Sequence, residues 1–299
     1  MTRLTLATCS ELPDGDEDAA LLVEALAAAG VRARWRVWND PDARWDDAPV
    51  LIRSTWDYTR DRAGFLAWAR GVPTLINSAK VVEWNSDKVY LTELTIAGLP
   101  TVPTRVFPPG TRTEFPTAAE FVVKPSVGAG SRGAGRFAAD ELEKAAEHAA
   151  ALQQGGWTVL VQPYLDAVDT AGETALLYFG GRFSHAIEKG AMLPVGMVHP
   201  TLSPAKGAIN SAGEVEGLFV AERIAARTPS AGELAVGEAA IDFVRTAFGA
   251  DLLYARVDLL PTSDGPVIGE LELVEPSLFL SSAPEAAATV AHAVSARLE

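Results

Sequence analysis

The chain has 299 residues, 48% of them hydrophobic, so it is long enough for two or three compact units and too apolar to be disordered. Its formal net charge of −14 argues against a nucleic-acid-binding protein, because recognition of a phosphate backbone needs a clustered basic face. No apolar run approaches membrane-spanning length, the N-terminus turns acidic too early for a signal peptide, and the single Cys9 cannot form an internal disulfide, so a soluble cytoplasmic protein is expected.

Residues 1–80 alternate between short apolar strands and helical segments. The predicted strands cover residues 3–8, 31–38, 49–56 and 74–78, and the predicted helices cover residues 16–29 and 61–71. The first of these helices has acids in its first turn and a glycine as its stop. This β-α-β-β-α-β order predicts a Rossmann-like open α/β domain with a mostly parallel sheet, whose ligand crevice lies at the carboxyl ends of the strands.

The third of these strands leaves the sheet through the sequence IRSTWDY. It supplies a cation, hydroxyl groups and an acid at one strand end, from Arg53, Ser54, Thr55, Asp57 and Tyr58. This set suits a small substrate with a carboxylate, because a guanidinium binds a carboxylate through two hydrogen bonds. We therefore predict substrate binding here. The alternative is an exposed loop with an Asp-capped helix.

A change of composition after residue 78 predicts a domain boundary near residue 80. The second unit, residues 81–165, contains one helix within 80–97, a proline-rich extended linker at 101–110, a strand at 120–125, a glycine-rich loop, a helix at 140–153 and a strand at 158–165. The third unit, residues 166–299, contains two strands joined by a Gly-Gly turn, a polar stretch at 197–216 predicted to be a mobile loop, a helix at 230–248, a hairpin at 254–276 and a C-terminal helix.

The glycine-rich loop follows a strand in the sequence FVVKPSVGAGSRGAG, residues 121–135. Glycine lets backbone N–H groups approach an anion, and the lysine at the strand end adds a positive charge, so the segment favours phosphate binding. The candidate ligands are Lys124, Ser126, Gly128, Gly130 and Ser131. The loop is not a Walker A motif, because the required Gly-Lys-Ser/Thr is absent, and a plain flexible turn is the alternative.

The strand VLVQPYL, residues 159–165, offers a surface for a flat base. A purine can lie against an apolar strand while backbone groups bind its edge and a downstream acid binds its ribose hydroxyls. The candidates are Gln162, Tyr164 and Leu165 for the base and Asp169 for the ribose.

The stretch from residue 254 to residue 276 predicts a hairpin with charged residues set into apolar strands. If it is centred on Asp264, Asp258 lies opposite Glu270 and Arg256 lies opposite Glu272, with all four side chains on one face. A centre between residues 264 and 265 would put the two strands' charges on opposite faces, so an odd-numbered or bulged loop is expected. Three converging carboxylates repel one another unless a cation lies among them, and oxygen ligands suit Mg²⁺. The alternative is a salt-bridged edge hairpin around the arginine.

Taken in chain order, these motifs resemble those of the ATP-grasp superfamily. The matching segments are Lys88 in NSDK, Lys124 in VVKP, the glycine-rich loop, the VLVQPYL strand, Glu173 after a glycine, Lys189, and RVD followed by ELE. The resemblance covers nearly the whole chain. It implies an ATP-grasp fold, in which a Rossmann-like N-terminal domain precedes two α+β lobes that bind ATP between them.

The resemblance also implies a role for each matched position. These roles are nucleotide binding for Lys88 and Lys124, adenine binding for Gln162, Tyr164 and Leu165, ribose binding for Glu173 with Asp169 as the alternative, catalysis for Arg256 and Lys189, and binding of Mg²⁺ for Asp258, Glu270 and Glu272. Two Mg²⁺ ions are expected, and Mn²⁺ is an acceptable substitute. Many members of the superfamily have Asn where this chain has Glu272, which leaves open whether Glu275 shares the metal.

The chemistry implied by the resemblance is phosphorylation of a carboxylate by ATP, followed by attack of a nitrogen on the acyl phosphate. The segments IRSTWDYTRD and ELELVEPSLFL are most similar to cyclo-ligases, which act on O-ureido-D-serine and use the nitrogen of the same substrate to close its ring. This substrate is expected between residues 53–58, Arg256 and Ser277.

Two other functions stay open at this point. One is a ligase that joins an amino acid to a second amine, and the other is a nucleotide-binding sensor without catalysis. The expected partners are ATP and a small amino-acid-like molecule, with no nucleic acid and no membrane. The sequence is compatible with a homo-oligomer.

Overall fold

A computed structural model describes residues 2–117, 119–193, 196–198, 223–249 and 252–299. The strands are β1 (Thr2–Thr8), β2 (Val31–Val37), β3 (Val50–Ser54), β4 (Leu75–Ile76), β5 (Arg105–Phe107), β6 (Phe121–Pro125), β7 (Gly135–Phe137), β8 (Val159–Pro163), β9 (Glu173–Phe179), β10 (Arg182–Lys189), β11 (Ile224–Arg227), β12 (Tyr254–Leu260) and β13 (Val267–Glu272). The helices are α1 (Ala19–Ala28), α2 (Arg62–Gly71), α3 (Ala79–Asn85), α4 (Tyr90–Ile96), α5 (Leu142–Gln154), α6 (Val168–Ala171), α7 (Ala231–Phe248) and α8 (Ala286–Leu298).

The first sheet has the order β2-β1-β3-β4, and all its strand pairs are parallel. This confirms the predicted open α/β sheet. The acids predicted for the first turn of α1 instead precede the helix, which begins at Ala19. One of them, Asp18, accepts hydrogen bonds from the backbone N–H groups of Leu278 and Leu280, at 2.8 and 2.7 Å. Its carboxylate therefore attaches this domain to the C-terminal segment.

The second sheet has the order β5-β8-β6-β7 and is antiparallel, with α5 packed on one face. Two of its strands were not expected. The proline-rich segment predicted as a linker contains β5, which pairs with β8, and β7 follows the glycine-rich loop. Both are three residues long, so their apolar pattern is too short to identify them, and only the pairing with longer strands makes them part of a sheet.

The third sheet has the order β11-β10-β9-β12-β13. In the β12–β13 hairpin, Arg256 lies opposite Glu272 and Asp258 lies opposite Glu270, and the register shifts after Asp258. This confirms the predicted centre for the charged pairs. A bulge is present, but it lies between the strands next to Asp258 and not in the loop, for which an odd number of residues or a bulge is predicted. The extra residue is Gly269, where an added Cβ would lie 2.9 Å from Leu260 Cγ. A side chain at this bulge position would therefore have to displace the Leu260 side chain.

The single helix predicted within residues 80–97 is wrong, because the segment forms α3 and α4 with a break at residues 86–89. In the break, the backbone N–H of Lys88 donates to the carbonyl of Ser126, at 2.7 Å, instead of continuing a helix. The break places Lys88 beside the glycine-rich loop.

Side chains from α3 and α4 also bind the edge strand β13. The Asn85 amide donates to the carbonyl of Leu271 and accepts from the N–H of Leu273, both at 2.7 Å. The Tyr90 hydroxyl donates to that same carbonyl and accepts from the N–H of Leu271. An edge strand whose backbone groups are bound in this way is protected from pairing with other chains.

No helix in the described ranges is both long and apolar enough to cross a membrane. The stretch predicted to be a mobile loop at 197–216 lies outside the described residues from position 199 onward. The domain limits at residues 80 and 165 stay a prediction.

Asn77 provides a test of how the N-terminal domain is attached to the hairpin. Its buried side chain donates to the carbonyls of Tyr254 and Leu273 and accepts from the N–H of Leu253, each at 2.9 Å. We expect Asn77→Ala to lower the free energy of unfolding by about 3 kcal/mol, because three buried backbone groups lose their partner. Urea denaturation measures the change. Asn39→Ala, at an exposed position, is the control, and equal stability of the two variants would contradict the role.

Candidate active site

A cleft with about 1010 Å³ of space, part of it open to solvent, lies between the second and third sheets. The predicted site residues among its lining are Lys88, Lys124, Gly128, Gly130, Ser131, Gln162, Tyr164, Leu165, Glu173 and Glu270. Ser126 is buried and is not part of the lining. Its backbone holds neighbouring segments together through Lys88 N–H and Thr158 O.

The end of the cleft at which base binding is predicted is formed by residues from β8 and the turn that follows it. Gln162 is buried and donates to the Thr104 hydroxyl, at 2.8 Å. The Tyr164 hydroxyl donates to Asp169, at 2.5 Å, and the Arg136 guanidinium stacks on the Tyr164 ring, 3.4 Å from its centroid. Asp169 is also bound to Arg136 and does not line the cleft. Glu173 does line it, and the assignment of a ribose ligand stays a prediction.

Two lysines point into the cleft from different elements. Lys88 Nζ lies 3.2 Å from Glu270 Oε1 and donates to the carbonyl of Gly128. The Lys124 ammonium makes no hydrogen bond or salt bridge with any residue in the described parts of the chain, and burial lowers its pKa. A partly buried ammonium without a counter-ion is costly, so the cleft is suited to an anion.

The acids of the hairpin converge on the same cleft. Ligand oxygens of Asp258, Glu270 and Glu272 all lie within 4.8 Å of one another. Arg256 donates to Asp258, at 2.8 and 2.9 Å, and to Glu272, at 2.5 Å. Lys189 Nζ lies 2.6 Å from Asp258 and 2.5 Å from Glu173. The hairpin therefore has the salt bridges around Arg256 that the alternative interpretation expects. It also has the three converging carboxylates that a metal site requires.

The pKa values of the three acids are driven apart by their surroundings. Burial alone would raise the pKa of Asp258, but the charges of Arg256 and Lys189 hold it well below its usual range. Burial would also raise the pKa of Glu270, but the positive charges of the nearby lysines, chiefly Lys88, outweigh it and leave this pKa lowered. Burial raises the pKa of Glu272 to about 8, and the neighbouring acids add to the shift.

This donor set fits a hard divalent cation. Three carboxylates supply oxygen ligands, which Mg²⁺ and Mn²⁺ prefer, and no nitrogen or sulfur ligand stands among them. Glu272 has one guanidinium partner, and the neighbouring acids that help raise its pKa indicate that the cluster favours further positive charge.

The strand exit at residues 53–58 is largely buried, so the alternative of an exposed loop is wrong, although Asp61 does cap α2. Arg53 is fully buried, donates to the carbonyl of Pro276, at 3.0 Å, and pairs with Asp16, at 3.4 Å. Arg53 Nε and the Thr55 hydroxyl have no hydrogen-bond partner within the described ranges. Two unsatisfied polar atoms in a buried strand end are expected to bind water or a ligand.

The other residues predicted for substrate binding at this strand exit have partners inside the N-terminal domain. The Ser54 hydroxyl lies 2.8 Å from the Thr8 hydroxyl, and Asp57 accepts from Trp38 Nε1, at 2.7 Å. Burial raises the pKa of Asp57 to about 6. Tyr58 packs against the ring of Phe65, with centroids 5.0 Å apart. The contacts of Ser54, Asp57 and Tyr58 within the N-terminal domain indicate that these side chains stabilise the strand exit.

The segment 276–280 reaches the hairpin charges from the C-terminal side. Ser277 is partly exposed, and the Phe279 ring lies 5.3 Å from the guanidinium carbon of Arg256. Phe279 has a φ of 52°, a left-handed conformation that a bulky residue rarely adopts. Asp18 holds the N–H groups on either side of it, and His185 Nε2 lies 2.9 Å from the carbonyl of Leu278. These contacts hold Ser277 and the ring of Phe279 in place beside Arg256.

Arg132 and Glu275 stand at the meeting point of these elements. The sequence assigned no role to Arg132 and raised Glu275 only as a further metal ligand, but Glu275 is not among the acids that converge within 4.8 Å. Arg132, in the glycine-rich loop, donates to the carbonyl of Trp56, at 2.9 Å, across 76 positions of the chain. Burial lowers its pKa to about 10. Glu275 is 8% exposed. No short-range pattern could have identified their contacts, because both residues bind Trp56, which is distant in the chain.

Three comparisons with known proteins point to the same family. Residues 4–77 match the model of the D-cycloserine synthetase DcsG N-terminal domain. The chain is 36% identical to the cycloserine biosynthesis protein DcsG of Streptomyces lavendulae over 302 residues, with 95% of each protein covered. It is similar to the crystal structure of D-cycloserine synthetase DcsG, with a TM-score of 0.86, 35% identity, and coverage of 99% of this chain and 100% of that chain.

A more distant match supports the fold. The RimK domain ATP-grasp protein of Sphaerobacter thermophilus has a TM-score of 0.63 and 19% identity, with 98% of this chain and 99% of that chain covered. These similarities confirm the predicted ATP-grasp fold.

Metal binding should depend on pH through Glu272. With a pKa of about 8, this carboxyl is largely protonated below pH 8, and a bound metal must displace the proton. We therefore expect the affinity for Mn²⁺ alone to rise as the pH increases from about 6.5 to about 8.5. Electron paramagnetic resonance of free Mn²⁺ measures it. Glu272→Gln should bind more weakly and with less pH dependence, and a wild-type affinity that is constant over this range would contradict the assignment.

Proposed function

Since the chain belongs to the D-cycloserine synthetase family, we propose that it is an ATP-dependent cyclo-ligase of antibiotic biosynthesis that converts O-ureido-D-serine into D-cycloserine. The other products are carbon dioxide, ammonia, ADP and phosphate. In this reaction the enzyme forms a carbon–nitrogen bond within one substrate molecule. The ATP-grasp fold and the family place it among ATP-dependent ligases.

The observation that carries this proposal is the arrangement of charge in the cleft. An unpartnered Lys124 faces the nucleotide side, and three converging carboxylates face the same space from the hairpin. Phosphoryl transfer from ATP needs both parts, because the phosphates carry negative charge and their metal ions need oxygen ligands. A sensor that only binds nucleotide has no need of a third acid or of Arg256 between the acids.

In the first step, the substrate carboxylate attacks the terminal phosphate of ATP and becomes an acyl phosphate. Lys88 and Lys124 bind the phosphates, and the hairpin acids hold Mg²⁺, which when bound neutralises the charge of the transferring group. Arg256 is proposed to contact the acid of the substrate at this point. Its fixed pairing with Asp258 and Glu272 orients the guanidinium before substrate binds.

In the second step, the ureido nitrogen attached to oxygen attacks the acyl carbon and displaces phosphate, which closes the five-membered ring. Because nucleophile and electrophile belong to one molecule, correct folding of the bound substrate supplies much of the rate. Hydrolysis by one water then releases the carbamoyl group as carbon dioxide and ammonia. The proposed substrate position, next to residues 53–58, Arg256 and Ser277, brings the reacting carboxyl close to the hairpin.

Cytoplasmic location is part of the proposal, because ATP is an intracellular substrate and the single Cys9 is a buried free thiol whose pKa burial raises to about 12. Such a thiol is unreactive. A homo-oligomer stays a prediction.

A substrate panel separates this function from the nearest alternative. We expect O-ureido-D-serine alone, with Mg²⁺ and ATP, to give ADP and D-cycloserine in equal amounts, because the nucleophile lies in the same substrate molecule. A coupled assay for ADP and chromatography of the products measure both. A ligase that joins two amino acids would instead release ADP only when a second amine is added. That outcome, or ATP binding without any turnover, would contradict the proposal.

Lys88→Met tests the phosphate site. Removing the ammonium that lies beside Glu270 should weaken ADP binding by about tenfold or more, because a partly buried charge contact to phosphate is lost. Isothermal titration with Mg²⁺ and ADP measures it. Lys80→Met, at an exposed position eight residues earlier, is the matched control and should bind like the wild type. Equal affinity of the two variants would remove Lys88 from the site.

A further inference from the structure

Glu275 lies at the point where the hairpin, the N-terminal strand exit and the glycine-rich loop meet. Its backbone carbonyl accepts from Trp56 Nε1, at 3.0 Å, and the carbonyl of the next residue, Pro276, accepts from Arg53, also at 3.0 Å. The backbone of Glu275 is therefore held against the strand exit at which the substrate is proposed to bind.

The side chain of Glu275 is mostly buried, and its carboxylate has no hydrogen-bond or salt-bridge partner among the described residues. Only 8% of the residue is exposed, yet its side-chain oxygens make no hydrogen bond and no salt bridge with any residue that the structure describes. The acids Asp258, Glu270 and Glu272, by contrast, each pair with a lysine or an arginine. Because the oxygens keep some access to solvent although the residue is only 8% exposed, the carboxylate is available to a bound polar molecule.

The charged groups around Glu275 come from four segments. They are the cations Lys88, Arg132 and Arg256, the acids Glu270 and Glu272, and the phenols Tyr58 and Tyr254. Burial raises the pKa of Glu275 to about 7, with the lysine and arginine charges opposing the shift. A carboxyl that gains and loses a proton near neutral pH is suited to general base catalysis.

We infer that the Glu275 carboxylate is the base that removes the proton from the attacking nitrogen when the ring closes. The inference rests on the proposed function. As the nitrogen–carbon bond forms, the acyl carbon–oxygen bond to phosphate breaks, and phosphate leaves with the bonding electron pair. The single hydrogen on the ureido nitrogen passes as a proton to a carboxylate oxygen of Glu275 and is later released to solvent.

The nearby acids are less suited to this step. Asp258 is held by Arg256 and Lys189, and its pKa lies far below neutrality. Asp57 accepts a hydrogen bond from Trp38 inside the N-terminal domain. Among the acids that the structure describes around the proposed substrate position, Glu275 combines burial, an unpaired carboxylate and a backbone fixed to the strand exit.

The two steps of the reaction can be measured separately, which tests the role directly. Hydroxylamine added to the assay traps the acyl phosphate as a hydroxamate without using the substrate nitrogen. We expect Glu275→Gln to form hydroxamate and ADP from O-ureido-D-serine nearly as fast as the wild type. Its rate of D-cycloserine formation at saturating substrate should fall by about 100-fold, because the proton acceptor is lost. Glu275→Asp, which keeps a carboxylate on a shorter side chain, should recover part of the ring closure.

Three results would overturn the inference. The first is ring closure by Glu275→Gln at the wild-type rate. The second is an equal loss of hydroxamate and D-cycloserine, which would indicate a role in binding or folding. The third is a lower thermal stability of Glu275→Gln with weaker ADP binding, since loss of an unpaired buried charge should leave stability unchanged or higher. Glu24→Gln, at an exposed position on α1, is the matched control.

The failure of the proposed function would look different. If the wild-type enzyme forms neither ADP nor hydroxamate from O-ureido-D-serine, this molecule is not the substrate. The proposed role of Glu275 as the base in its ring closure would then be contradicted as well. If the wild-type enzyme forms both products and Glu275→Gln closes the ring at the wild-type rate, the proposed function stands. Only the assignment of Glu275 as the base is then contradicted.

Discussion

The structure depends on how it neutralises the carboxylate of Asp258, which is fully buried in the middle of the third sheet. A charge in that position is tolerated only with partners of excellent geometry, and Arg256 and Lys189 supply them at 2.6 to 2.9 Å. The ion pair between Arg256 and Glu272 constrains the hairpin register, because a one-residue slip would send Glu270 and Glu272 to the face opposite Arg256 and Asp258. The bulge at Gly269 then brings Glu270 and Glu272 to the same side as Asp258.

The charged face is held rigid by polar side chains from the N-terminal half of the chain. Asn85 and Tyr90 bind the backbone of β13, and Asn77 binds both strands of the hairpin. These side chains act where an edge strand would otherwise expose its N–H and C=O groups. Because a metal or phosphate site must be positioned to within about half an ångström, such fixed contacts matter for function as much as for stability.

The cleft and the strand exit differ in how their polar groups are satisfied. The hairpin acids are paired with cations. At the strand exit, Arg53 Nε and the Thr55 hydroxyl are buried without hydrogen-bond partners in the described parts of the chain. A small polar substrate would satisfy such groups, and a site of this kind discriminates strongly against analogues that lack the matching atoms.

The sequence by itself determined the parts of this protein that depend on local pattern. Alternation and turn residues predicted the parallel N-terminal sheet and the hairpin centred on Asp264, because side-chain direction in a strand follows position along the chain. The order of lysines, glycines and acids predicted the ATP-grasp fold. Tertiary structure alone decided the break between α3 and α4, the short strands β5 and β7, and the positions of Arg132 and Glu275. In each case the decisive partner lies far away in the chain, so the free energy that selects the conformation comes from contacts that no local window contains.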